Sequence, residues 1–161
     1  MCVESQTRNK NLSRQAASFF KASESSFKRK AVYASVDQRK MLWYPDDAFV
    51  IQTHEEMLEK YGGYPGFERG IIQFRLVLTR VKASRGNIYR KGAILLQGMV
   101  NGRVFLDGNH RTAYEVTDTF LRENGERIKI QDEQKVIRFI KDIKQYSIEQ
   151  VEDWLENGKV P

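Results

Sequence analysis

The chain has 161 residues, 40% of them apolar, enough to bury the core of one domain with an additional arm. A single cysteine, Cys2, excludes an internal disulfide, and two histidines (His54 and His110) are too few for a Cys/His zinc site. The net charge of +6 is uneven: residues 1–40 hold nine Lys/Arg against three Asp/Glu, and the remainder is balanced at 18 of each. The body is therefore not a basic nucleic-acid module, and a nucleic-acid or other acidic partner is expected only through residues 1–40. No apolar run is long enough to span a membrane, and the first residues lack a secretory pattern. The expected location is cytoplasmic.

Residues 1–43 read as a basic N-terminal arm, either solvated or gripping a partner. Within it, Leu12–Lys21 could form a short helix and 31–37 a short strand. Val32, Val36, Leu42 and Trp43 could support a homodimer. The body, 44–161, starts at Tyr44-Pro45-Asp46-Asp47, where Pro and Asp precede an apolar run that reads as a helix. Phe49, Val50, Met57, Leu58 and Tyr61 recur at helical spacing, with His54 on the same side as a packing residue. Gly62-Gly63 ends this helix, and Tyr64-Pro65-Gly66 reads as a turn.

A second helix is expected from about Glu68 to Val81, then a polar loop at 82–87. A third, from about Asn87 to Val100, is apolar nearly all round, which places it centrally, with Gly92, Ala93 and Gly98 allowing close approach. A fourth helix ends at Asn124-Gly125, and Arg127–Ile130 reads as extended. Asp132 is a plausible N-cap for a fifth helix, and Ser147–Gln150 is a capping box for the last. About six helices with short connections make an all-α bundle, with any strand or hairpin confined to the arm.

Asp107-Gly108-Asn109-His110-Arg111 stands immediately before the fourth helix. Glycine allows a tight turn that converges backbone N–H groups beside the positive end of a helix dipole, making an anion nest. Asn109 adds amide donors, Arg111 can fork onto phosphate oxygens, and Asp107 can take a divalent cation such as Mg²⁺. Taken alone, this string is also compatible with an ordinary loop-to-helix turn.

The segment resembles the motif of the Fic/Doc (death-on-curing) family, His-x-Phe-x-[Asp/Glu]-[Gly/Ala]-Asn-x-Arg. Phe105, Asp107, Gly108, Asn109 and Arg111 fill it, and Thr112-Ala113 and Phe120-Leu121-Arg122-Glu123-Asn124-Gly125 follow as in Doc-like members. Upstream, His54, six residues, then Tyr61-Gly62-Gly63-Tyr64-Pro65-Gly66 is similar to a Doc segment at the same spacing. The resemblance covers roughly residues 44–158. It implies a helical domain that binds ATP with Mg²⁺ at residues 107–111 and moves AMP or a phosphoryl group to a protein hydroxyl, with a protein acceptor or an antitoxin-like partner. Tyr114, where AMP-transferring members carry a second Arg, places the chain nearer the Doc-like branch.

One position departs from the motif: its first residue, a His that serves the family as general base, is Arg103 here. An arginine stays protonated and cannot accept the hydroxyl proton, although it can neutralise a phosphate. His110 is the only nearby imidazole, but it stands at the mouth of the next helix, on the wrong side for that role. Transfer is thus expected to be altered or lost. The alternatives are a non-catalytic binding or regulatory protein of toxin–antitoxin type, or a nucleic-acid-associated protein working through the arm. The loop at 82–87 is the candidate flap for recognising an acceptor.

Overall fold

Asp46 opens the first helix, α1 (Asp47–Tyr61), its carboxylate accepting the Phe49 N–H at 2.8 Å, and Gly62 closes it in the left-handed region at φ 73°. The computed structural model describes residues 41–130 and 132–159. The short helix and strand expected within 1–40, together with Val32 and Val36, lie outside those residues. Five further α-helices follow among the described residues: α2 (Ile71–Ala83), α3 (Ile88–Gly102), α4 (Asn109–Glu123), α5 (Glu133–Asp142) and α6 (Ile148–Asn157). A 3-10 turn at Ile143–Gln145 joins the last two. The all-α bundle expected from periodicity is the observed fold, and none of these helices is long and apolar enough to cross a membrane.

The apolar α3 is the central element and packs against α2, α4 and α6. Its small residues make this possible. A Cβ on Gly98 would stand 2.7 Å from a Val77 methyl of α2, and one on Gly92 would stand 3.3 Å from Leu121 of α4. Gly98→Ala is therefore expected to destabilise the fold by about 1–3 kcal/mol through overpacking, despite its better helix propensity. A denaturant midpoint at or above wild type would contradict this packing. On the far side Trp154, fully buried, stacks on Phe139 with ring centroids 4.0 Å apart.

Three details differ from the sequence reading. Helix α2 starts at Ile71 rather than Glu68, because residues 66–70 are drawn away to pair with 103–106. The 82–87 segment begins inside α2, which runs to Ala83, and residues 84–87 turn the corner to α3. There the buried Lys91 ammonium donates to the carbonyls of Val81 (2.9 Å) and Ser84 (2.7 Å), closing the C-terminus of α2. Arg127–Ile130, read as extended, lies outside any helix and runs along α6, with the Lys129 N–H donating to the Leu155 carbonyl. Trp43 belongs to the body rather than the arm. Asn124 accepts the Trp43 N–H at 2.9 Å and donates to its carbonyl at 3.0 Å, while the indole meets Phe49 edge-on.

Candidate functional site

The turn between α3 and α4 is built from the inside outward. Val104 and Phe105 are buried, and Phe105 stacks face to face on His54 of α1 at 3.7 Å. Asn109, the first residue of α4, reaches back four residues. Its Oδ1 accepts the Phe105 N–H at 3.0 Å and its Nδ2 donates to the Phe105 carbonyl at 2.6 Å. This closes the turn into a ring. It also adds to the role read for Asn109: its carbonyl and one of its two amide N–H donors are engaged by the Phe105 backbone.

Gly108 stands at φ 72°, and a Cβ there would meet the His54 ring at 3.3 Å, so both backbone and space demand glycine. No side chain caps α4, so the N–H groups of Asn109, His110 and Arg111 have no partner within the helix and carry the positive end of its dipole. The Gly108 N–H is already taken by Asp107 Oδ1 at 2.6 Å. The nest is thus the first turn of α4 rather than the whole loop.

Asp107 also accepts the Tyr64 N–H at 3.4 Å, and these two N–H groups, with Arg111 adding to them, hold its carboxyl below the usual carboxylate range. Arg111 Nη1 donates to the Gly62 carbonyl at 3.2 Å, Nη2 is 3.9 Å from Asp107, and the guanidinium lies over the Tyr61 ring. Among the described residues no three His, Cys, Asp or Glu side chains gather as a metal site. A Mg²⁺ here would take Asp107 and draw its other ligands from phosphate and water.

Arg103 ends α3 at φ 47°, ψ 58°, the one non-glycine residue with positive φ among those described. Its Nε is 2.9 Å from a Glu68 carboxylate oxygen. Arg103 is therefore half of a largely surface ion pair. His110 is partly exposed, and desolvation followed by the charges of Lys144 and Lys141 keeps its imidazole below its ordinary value. It borders a groove of about 730 Å³ between α1, α4 and α5, with Tyr61, Arg111, Tyr114, Ile137 and Lys141 among the other walls.

His54, read from the sequence as a packing residue, is buried, with Nδ1 3.2 Å from the Thr112 hydroxyl. Burial lowers its pKa against the pull of Asp107. A neutral buried imidazole stabilises the fold above the unfolded-state value of about 6.5 and loses that contribution as pH falls below it. The slope of unfolding free energy between pH 7.5 and 5.5 should thus be positive. It should flatten in His54→Phe, which keeps the stack but does not titrate; an unchanged slope would remove His54 as its source.

The sequence reading gives residues 62–66 as a helix end, a turn and part of the upstream motif, but does not foresee that this segment covers the 103–111 turn. Residues 62–70 run antiparallel along 103–111, with Phe67 bridging Phe105, and Glu68 faces Arg103 from this segment. The glycines at 62, 63, 66 and 70, all at positive φ, were the available signal. Comparison with known protein families finds none whose pattern matches this chain, and no curated protein is similar enough to count as a relative.

Proposed function

We propose that the chain is a Fic/Doc-like domain that binds the phosphates of a nucleotide, with Mg²⁺, at the first turn of α4, and that its group transfer is altered or lost. The observation that carries the reading is the uncapped start of α4 behind a left-handed Gly108, with Asp107 and Arg111 on either side. Together these present N–H donors, a cation and a carboxylate to one small region, the complement that a metal-bound polyphosphate requires. The adjacent groove, within the range of about 300–1,000 Å³ of small-molecule pockets, gives a nucleoside room beside Tyr61 and Tyr114. The two separated motifs are the argument for kinship. Arg103, engaged by Glu68, favours a binding or regulatory role over unaltered transfer.

Calorimetry tests the reading. Mg·ATP should bind and be displaced by Mg·tripolyphosphate. His110→Glu should weaken both by about tenfold or more, since a carboxylate beside the nest repels phosphate by roughly 1.4 kcal/mol or above. The same carboxylate favours the helix N-terminus, so thermal stability should hold or rise. Binding unaffected by His110→Glu would place any nucleotide elsewhere, and no binding at all would end the phosphate reading.

A further inference from the structure

Residues 62–70 are held to the turn in two unlike ways. The 66–70 half is laced by backbone: Leu106 N–H to Gly66 O (3.0 Å), Glu68 N–H to Val104 O (3.1 Å), Arg69 N–H to Arg103 O (3.3 Å) and Gly70 N–H to Val104 O (3.3 Å). The Arg103–Glu68 pair adds to this half. The 62–64 end leans on the turn through two side-chain contacts, Arg111 to the Gly62 carbonyl and Asp107 to the Tyr64 N–H. Those are the two charged side chains that a metal-bound phosphate would recruit. The crowding is direct: a Cβ on Gly63 would stand 2.7 Å from Asp107 Oδ2. Gly63 and Tyr64 thus crowd one oxygen of the carboxylate that would take a cation, and a cation bound there competes with the Tyr64 N–H for it.

We propose that residues 62–70 form a strap whose Gly63–Tyr64 turn closes the phosphate site, and that ligand binding competes with this closed position. The inference rests on the phosphate-binding reading and adds its regulation. The 66–70 half is anchored by backbone and Gly62 is held as the cap of α1, its N–H given to the Leu58 carbonyl at 2.8 Å, so the movable part is the Gly63–Tyr64 turn between them, with Gly63 at φ 138° as its joint. Tyr64, 79% exposed, has no packing that would hold it shut. The closed strap therefore acts as an internal competitor: ligand affinity is reduced by the fraction of molecules in which the strap is closed. Whatever stabilises the open strap, a docked partner included, raises affinity without touching the phosphates.

The experiment uses the full chain and Mg·tripolyphosphate. Hydrogen exchange read by mass spectrometry should become several-fold faster across 63–65 on binding, while 66–70 stays unchanged or slows. Gly63→Ala, whose methyl collides with Asp107 and Leu58, should bind Mg·tripolyphosphate several-fold more tightly than wild type. Tyr64→Pro, which deletes the N–H given to Asp107, should shift affinity the same way and serves if Gly63→Ala does not fold. Wild-type binding with unchanged or slower exchange at 63–65, and no tighter binding in either variant, overturns the strap and leaves the phosphate reading standing. Absence of binding in wild type and variants alike overturns both.

Discussion

Asn109→Ala is expected to lower the stability of the domain substantially and, with it, to abolish phosphate binding. The side-chain amide holds both backbone groups of Phe105, whose own side chain is buried against His54. Truncation leaves a donor and an acceptor without partners beside the core. At about 1–3 kcal/mol for each such group, the loss is about 2–6 kcal/mol, measured as a fall in the denaturant midpoint at constant slope. Asn109→Asp separates the two bonds: it keeps an acceptor for the Phe105 N–H but sets a carboxylate against the Phe105 carbonyl. An asparagine whose amide served a phosphate alone would do the reverse, leaving the unliganded fold untouched and costing only affinity. A stability change under about 0.5 kcal/mol in Asn109→Ala would show that the ring is not what shapes the turn.

The contrast between Asn109 and the helices around it shows where local pattern stops being informative. Asp46, Asp132 and Ser147 are N-caps in the sequence and N-caps in the fold, because a cap acts within three residues of itself. The burial of α3 follows from an apolar circumference that no surface helix tolerates. The Asp107–Arg111 turn is singled out by its resemblance to the Fic/Doc motif, since Gly108 before a helix is by itself compatible with an ordinary turn. What the amide of Asn109 touches, in contrast, depends on how the backbone at Phe105 returns toward α4, and a donor–acceptor side chain suits either a phosphate or a peptide group. Glu68 and Arg103 lie 35 positions apart, with nothing local to announce their pairing. The start of α2 was misplaced for the same reason. Glu68 and Arg69 are acceptable helix residues by propensity, but their N–H groups are claimed by Val104 and Arg103, and that distant pairing outweighs a few tenths of a kcal/mol of helix preference. Trp43 was assigned to the arm by composition, whereas its place is set by Asn124, 81 residues away.

Arg103→His carries the largest expected change in activity. The position lies in the left-handed region, where histidine is better tolerated than most side chains, so the substitution suits the backbone as it stands. The ion pair lost with Glu68 is 56% exposed on the arginine side, and such pairs contribute about 0–1 kcal/mol. Folding should therefore be nearly unchanged, and the comparison isolates chemistry. An imidazole can accept the hydroxyl proton that a guanidinium holding its own proton cannot, and a positioned base is worth about 10²–10⁴-fold in rate. If the site lacks only its base, Arg103→His should transfer label from ATP to a protein acceptor faster than wild type by that factor. Parallel reactions with α- and γ-labelled ATP distinguish AMP from phosphoryl transfer. Wild-type transfer that falls in both Arg103→His and Arg103→Ala would mean instead that the arginine itself neutralises charge on the transferring group, since a loose transition state depends on charge and position more than on a base. A variant that binds Mg·ATP and moves no label has lost more than one proton acceptor, and the nest then serves binding alone.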